Sequence, residues 1–168
     1  MNDTLRLDEI VEFAENPEPR CPCVLLIDTS GSMQGGSIEA LNEGLWSFKN
    51  DLKKNSLAAR RVEVGIITFD SEINLIQNFV TADQFEPPRL TANGLTNMGA
   101  GIHKALDMVQ ARKSEYRTNG IAYYRPWVFM ITDGEPQGEL DQVVEQATRR
   151  LHDDEANKRV DLFTVCVE

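Results

Sequence analysis

The sequence has few residues of the kinds that bind zinc or carry out acid–base catalysis. It contains three cysteines and two histidines among 168 residues. Cys21 and Cys23 supply only two of the four ligands that a structural zinc site needs, and His103 and His152 lie far along the chain. An odd number of cysteines without a secretory signal is typical of reduced thiols in a cytoplasm. We therefore expect a cytoplasmic protein with reduced thiols and no zinc site.

The chain also lacks segments suited to a membrane or to export. No apolar run approaches the roughly 20 residues that cross a bilayer, and the N-terminal MNDTLRLDEI has no basic flank followed by an apolar block. Basic residues are scarce, since 17 lysines and arginines stand against 27 acidic residues, for a formal charge of −10. Such a charge repels phosphate backbones. We expect neither a nucleic acid nor a membrane as partner, and an acidic chain suits cations better.

What the sequence does contain is a regular alternation of strand and helix patterns. Continuous apolar runs at 23–27 and 62–69 predict strands that are covered on both faces. Apolar residues spaced three or four apart predict helices around 38–52, 102–109 and 140–151, and further strands are predicted at 128–131 and 160–167. This order predicts an α/β fold, a three-layer, doubly wound and mostly parallel sheet with helices on both faces, of the Rossmann-like kind.

One strand pair should differ from the others. Only Asp70 and Ser71 separate the strand at 62–69 from the next at 72–80, and so short a link cannot cross over a sheet. These two strands should therefore be antiparallel, which places one antiparallel strand at an edge. No repeat or linker divides the chain. We expect one domain over residues 21–168, preceded by a flanking segment, residues 1–20, with a helix from Leu5 to Phe13.

Oxygen-bearing side chains follow the predicted strands or precede the predicted helices in three places. Asp28, Ser30 and Ser32 follow the first strand, Thr96 precedes the second long helix, and Asp133 follows the fourth strand. Ligands bind beyond the carboxyl ends of the strands in sheets of this kind. Two carboxylates and three hydroxyls favour a hard cation, so the pattern predicts a Mg²⁺ site, with Mn²⁺ or Ca²⁺ as alternatives.

Each of the three segments alone has a plainer interpretation. The Ser/Gly loop could only cap the next helix, Thr96 could cap its own helix, and Asp133-Gly134 could be an ordinary turn. Glu135 could line the site or face solvent, and the sequence leaves both open. The combination of all three segments, in the right order along the chain, favours a metal site over three unrelated features.

Two other classes of function compete with metal-dependent binding. A Mg²⁺-dependent phosphotransferase or phosphatase could use Asp28 as nucleophile, but haloacid-dehalogenase-type enzymes have a second Asp where this chain has Ser30. A nucleotide-binding loop of the G-x-x-x-x-G-K-[ST] type needs a lysine that residues 30–36 lack. We therefore expect a protein that is not an enzyme and keep the phosphotransferase as the alternative.

The three segments resemble the von Willebrand factor A family, whose D-x-S-x-S pattern stands here as Asp28-Thr29-Ser30-Gly31-Ser32, with Thr96 and Asp133 as the distant threonine and aspartate. Together they look like a metal-ion-dependent adhesion site. The resemblance covers roughly residues 22–167. The segments LIDTSGSM, ITFDS and RPW…TDGEP look like the bacterial TerY-like branch, which is intracellular and associated with tellurite resistance.

The resemblance implies a protein-binding module that is not an enzyme. Ser30 and Ser32 would contact the metal through their hydroxyls, and Thr96 would do so directly or through water. Asp28 and Asp133 would often act through water and orient the other ligands. A Glu or Asp of a partner protein would then fill the open position on the cation.

Domains of this family usually continue beyond the strand predicted at 160–167, with a closing helix. The sequence has no such segment, so the domain is expected either to be cut short or to be a variant without that helix. The last strand would then be an open edge, which invites pairing with another chain. We expect either self-association through this edge or coverage of it by the segment from Leu5 to Phe13.

Overall fold

A computed structural model describes residues 7–167, which form five strands and five α-helices. Leu5 and Glu168, which entered the expectations above, lie outside the described residues. A 3₁₀ turn, Gly31–Met33, follows the first strand. In chain order the elements are α1 (Leu7–Glu15), β1 (Cys21–Asp28), α2 (Gly36–Lys53), α3 (Ser56–Arg61), β2 (Val62–Phe69), β3 (Ile73–Thr81), α4 (Met98–Thr118), β4 (Trp127–Thr132), α5 (Asp141–Ala156) and β5 (Asp161–Cys166).

The five strands form one sheet in the order β3-β2-β1-β4-β5. β1 pairs in parallel with β2 and β4, and β5 pairs in parallel with β4. β3 is antiparallel to β2 and lies at one edge. The predicted α/β fold, with a mostly parallel sheet and one antiparallel edge strand, is confirmed. The short helix α3 was not predicted, because its six residues are too few to show a period.

The core consists of two layers, one on each face of the sheet. Val24 and Leu26 of β1 face α4 and α5, whereas Leu25 and Ile27 face α2. Alternation of this kind explains why the strand reads as a continuous apolar run, since both of its faces are buried. All but the first residue of β1 are buried.

The layer that contains α2 covers only part of its face of the sheet. A groove of about 470 Å³ lies between α2 and the strands β4 and β5, with Phe48 on one wall and Phe129 on the other. Phe129 stacks on Phe163 with ring centroids 4.9 Å apart. Phe163 and Val165 are each 43% exposed, so apolar surface of β5 faces outward among the described residues.

A buried carboxylate joins the elements at the opposite end of the sheet from the predicted site. Glu63, fully buried at the start of β2, accepts hydrogen bonds from Arg20 Nε (2.7 Å), Arg112 Nε (2.8 Å) and the Tyr116 hydroxyl (2.6 Å). Burial and the nearby Glu63 carboxylate raise the pKa of Tyr116 well above its ordinary value, so this phenol stays protonated and donates. Glu63 thereby links β2 to α4 and to Arg20, the residue directly before β1.

The N-terminal helix packs against this buried cluster and not against β5. Phe13 is buried, with its ring edge-on to Tyr116 and within 5.1 Å of the Arg112 guanidinium carbon. Glu12 forms a 2.6 Å ion pair with Arg112. The expected coverage of the β5 edge by the segment from Leu5 to Phe13 is therefore wrong for residues 7–13, because a buried aromatic ring and an ion pair hold α1 at α4.

Within residues 7–167, the outer edge of β5 pairs with no other strand. The amides of Asp161 and Val167 donate to carbonyls on the β4 side, so the amides of the even-numbered residues between them point outward. The amide of Leu162 is satisfied by the Glu155 carboxylate at 3.1 Å. That of Thr164, in the middle of the strand, faces away from β4. Self-association through this edge stays a prediction.

We expect Glu63→Gln to lower the free energy of unfolding by about 3 kcal/mol, because it removes the carboxylate paired with the buried Arg20 and one of the carboxylates paired with Arg112. Tyr116→Phe removes one hydrogen bond and no charge, and should cost about 1.5 kcal/mol. Urea unfolding of both variants measures the difference. If the two variants lost the same free energy of unfolding, or if Glu63→Gln lost less than about 1 kcal/mol, a central role for the Glu63 carboxylate would be contradicted.

For the edge strand, we expect self-association that rises with concentration and is abolished by Val165→Lys. A lysine at an edge opposes strand pairing, because its charge would have to be desolvated against a second chain. Sedimentation velocity over a range of concentrations measures the effect, with Leu57→Lys, another exposed apolar residue, as control. A wild-type protein that stays monomeric throughout would refute the edge prediction.

Candidate metal centre

Asp28 lies at the carboxyl end of the central strand and both of its oxygens are occupied. Oδ1 accepts a hydrogen bond from the Ser30 amide at 2.9 Å, and Oδ2 accepts one from the Thr132 hydroxyl at 2.6 Å. The residue is 1% exposed. A carboxylate that is buried and bonded in this way is held in one orientation, so Asp28 serves as a fixed point for the loop that follows it.

The hydroxyls of Ser30 and Ser32 lie next to each other and next to Asp133. The 3₁₀ turn Gly31–Met33 places Ser30 Oγ 3.1 Å from Ser32 Oγ. Ser32 Oγ donates to Asp133 Oδ1 at 2.8 Å, across 101 residues of sequence. Four of the five predicted site residues, Asp28, Ser30, Ser32 and Asp133, are thus brought together by direct contacts between neighbours.

Thr96 belongs to a second loop that is joined to both of the others by backbone hydrogen bonds. Its amide donates to the Gln137 carbonyl at 3.0 Å, and the Gln137 amide donates to the Thr96 carbonyl at 3.1 Å. On the other side, the Gly31 amide donates to the Gly94 carbonyl at 2.9 Å. A Cβ on Gly31 would lie only 3.3 Å from that carbonyl oxygen, which explains a glycine at this point. Thr96 is 5% exposed.

Several residues that orient the site were not found from the sequence. Thr132 holds Asp28 from the neighbouring strand, and Asp70 accepts a hydrogen bond from the Thr29 hydroxyl at 3.0 Å. Glu139 bonds two amides at the start of α4. Thr132 lies directly before Asp133 at the end of a predicted strand, so the sequence could have indicated that it belongs to the site. Asp70 and Glu139 act across loops, and no spacing in the sequence indicates their partners.

The donor set at this edge consists of oxygen atoms. The loops 28–33, 93–97 and 133–138 contain no His, Lys or Cys. Within residues 7–167, no group of three or more His, Cys, Asp and Glu could hold a metal ion. A cation at this edge would therefore depend on serine and threonine hydroxyls beside the two carboxylates, and only a hard ion accepts such ligands. Glu135 is exposed in the third loop.

Solved structures with the same fold include proteins that contain von Willebrand factor A domains. A von Willebrand factor type A protein from Catenulispora acidiphila is 18% identical, with a TM-score of 0.64 over 87% of this chain and 33% of its own. The ArnB paralog VWA2 from Sulfolobus acidocaldarius is 19% identical, with a TM-score of 0.54 over 87% and 34%. The pilus adhesin SpaC from Lactobacillus rhamnosus GG, in its open conformation, is 23% identical, with a TM-score of 0.57 over 70% and 15%. At these identities the likeness shows the fold, and the chain spans about a third or less of the length of these three relatives.

Two further findings concern the sequence itself and the helices. No curated protein matches the chain, and none of the helices within residues 7–167 is long and apolar enough to cross a membrane. The family model for the von Willebrand factor type A domain matches residues 23–135, which include most of β1, the Ser/Gly loop, the Thr96 loop and the first residues of the Asp133 loop. The match covers most of the chain. The chain therefore belongs to the von Willebrand factor type A domain family.

Proposed function

We propose that the protein is a metal-dependent binding module in which a divalent cation captures an acidic side chain of a partner protein. The cation, Mg²⁺ in the first instance and Mn²⁺ or Ca²⁺ as alternatives, would be held by Asp28, Ser30, Ser32, Thr96 and Asp133. Domains of this family commonly act as protein-interaction modules, which supports the general class of function. The metal, its ligands and the kind of partner are the proposal.

The observation that carries the proposal is the spacing of the oxygen atoms. Ser30 Oγ and Ser32 Oγ are 3.1 Å apart, and Ser32 Oγ and Asp133 Oδ1 are 2.8 Å apart. Mg²⁺ binds six oxygens octahedrally at about 2.0–2.1 Å, so adjacent ligands lie about 2.9 Å from each other. The donors therefore stand at the separation of neighbouring ligands of such an ion. They would need little rearrangement to bind one.

The residues divide into ligands and orienting groups according to their contacts. Ser30 and Ser32 have hydroxyls that can turn their lone pairs toward a cation. Asp28, whose oxygens are engaged by Ser30 and Thr132, is suited to a role through water and through the orientation of Ser30. When bound, the cation would supply a positive charge with a position open to a carboxylate. Neutral hydroxyl ligands leave much of that charge uncompensated, so an acidic partner residue is attracted.

The cellular setting is the most specific part of the proposal. The resemblance to the TerY-like branch supports a cytoplasmic protein that takes part in tellurite resistance, in a stress response or in a system linked to phosphorylation. The partner would be a protein that presents Asp or Glu. Among the structural relatives, SpaC is a pilus adhesin, so a related fold serves binding to other molecules in another setting.

The alternative, a Mg²⁺-dependent phosphotransferase or phosphatase that uses Asp28, has less support from the geometry. A nucleophilic carboxylate must reach a phosphorus atom with one free oxygen. Asp28 is 1% exposed and both of its oxygens accept hydrogen bonds. We therefore favour recognition without turnover.

We expect Mg²⁺ or Mn²⁺, added after chelation, to raise the melting temperature, because a ligand that binds only the folded state stabilises it by about 2.7 kcal/mol at 100 times its Kd. Asp133→Ala should abolish the rise and leave the fold intact. Differential scanning fluorimetry and calorimetric titration measure both effects. Asp141→Ala, an exposed aspartate on α5, is the matched control and should keep the rise. An unchanged melting temperature with every divalent ion would refute the metal site.

With Mg²⁺ present, we expect no hydrolysis of ATP or of phosphomonoesters above background, because the three loops offer no histidine, lysine or thiol for proton transfer or nucleophilic attack. A coupled phosphate-release assay on purified protein tests this. Activity that is lost in Asp28→Asn would overturn the binding function in favour of the phosphotransferase.

A further inference from the structure

Glu139 directly follows the third loop of the site, 133–138, and connects it to the start of α4. Its carboxylate accepts two hydrogen bonds, from the Gly99 amide at 2.7 Å and from the Ala100 amide at 2.7 Å. These are among the first amides of a 21-residue helix, which have no partner within the helix itself. A carboxylate is well suited to this position, because it accepts both bonds and its charge complements the helix dipole.

The residue that would ordinarily cap α4 is used elsewhere. Asn97 occupies the N-cap position and belongs to a residue type favoured there, yet its side chain makes no capping hydrogen bond. Instead its Nδ2 donates to the Ser71 carbonyl at 2.9 Å. The amides at the start of α4 are therefore satisfied by Glu139, from a loop 40 residues away. The start of this helix depends on the position of the third loop.

The same two segments are also joined on the side of the predicted metal ligands. Gln137, two residues before Glu139, exchanges both backbone hydrogen bonds with Thr96, at 3.0 and 3.1 Å. Gly99 allows the close approach, since a Cβ there would lie 3.0 Å from both Glu139 Oε2 and the Cα of Val144. Two hydrogen bonds at Thr96 and two at the start of α4 thus hold the Asp133 loop against the Thr96 loop.

We propose that Glu139 is a positioning residue of the metal site: through the start of α4 it holds Thr96 at the distance from Asp133 that one cation requires. This inference rests on the proposed function, since it assigns a role within the same site. Both Glu139 oxygens accept amide hydrogen bonds, so Glu139 is not among the proposed ligands. Its bonds to the start of α4 keep the backbones of Gln137 and Thr96 paired, so its loss should loosen the donor set without removing a donor.

The first test uses metal-free protein and is independent of metal binding. Hydrogen exchange should be at least about tenfold faster at the amides of Thr96, Gln137, Gly99 and Ala100 in Glu139→Ala than in wild type, because their bonds open locally. Glu135→Ala removes the same charge from the same loop, where no hydrogen bond of Glu135 is present within residues 7–167, and should leave these rates unchanged. Equal exchange in Glu139→Ala and wild type would overturn the inference.

The second test measures the affinity for Mg²⁺ by calorimetric titration. Glu139→Ala should weaken binding by about 10- to 100-fold, as loss of an orienting partner of metal ligands typically does. Glu139→Gln keeps one acceptor oxygen and should fall between wild type and Glu139→Ala. Gly99→Ala forces the two segments apart with the carboxylate still present, and should also weaken binding. Glu135→Ala should stay within about twofold of wild type.

The outcomes separate this inference from the proposed function. Equal weakening by Glu135→Ala and Glu139→Ala would mean that only the charge of the loop matters, which overturns the positioning role. Unchanged Mg²⁺ affinity in Glu139→Ala, beside normal binding by wild type, overturns it as well. If wild type binds no divalent ion while exchange at Thr96 rises in Glu139→Ala, the proposed function fails and so does the role of Glu139 toward a metal, whereas the connection between the loops stands.

Discussion

Parallel pairing of β1 on both of its sides is the constraint on which the rest of the structure depends. A strand with neighbours on both sides and helices on both faces is expected to be apolar over most of its length, as β1 is up to Asp28 at its end. Parallel neighbours also require crossover connections, which supply α2 and α4 as the covering layers. Finally, parallel strands end at the same edge, so Asp28 and Thr132 meet there although 104 residues separate them.

The buried carboxylates at the two ends of the sheet have different kinds of hydrogen-bond partner. At one end, Glu63 is surrounded by two arginines and a tyrosine, and its charge is matched by permanent partners. At the other end, Asp28 is oriented by neutral groups, an amide and a hydroxyl. A carboxylate that is held by neutral groups leaves room for a cation from solution. The first end suits stability, and the second suits the cation binding that we propose.

The loops of the site are held to one another by backbone hydrogen bonds as well as by side chains. Gly31 is bonded to Gly94, and Thr96 to Gln137. A site on loops is usually less exact than one on strands, unless the loops support one another. Here each loop is fastened to the next, and Glu139 extends the connection to a long helix. Movement of any one loop would therefore displace the others.

The sequence by itself determined the alternation of strands and helices, the antiparallel edge pair and the places where oxygen donors follow the strands. These features depend on hydrophobic period and link length, which are local in the chain, so β2 was predicted at its full extent, Val62–Phe69. It also carried the family match at residues 23–135.

Only the tertiary structure decided which distant residues support those features. The Thr132 hydroxyl reaches Asp28 because β4 pairs with β1, and Glu139 reaches Gly99 because the third loop folds back over α4. The helix α1 packs at Glu63 and not at β5 for a similar reason, since Phe13 and Glu12 find Tyr116 and Arg112 there. A contact between two loops depends on the path of the whole chain, and the spacing of residues along the sequence does not indicate that path.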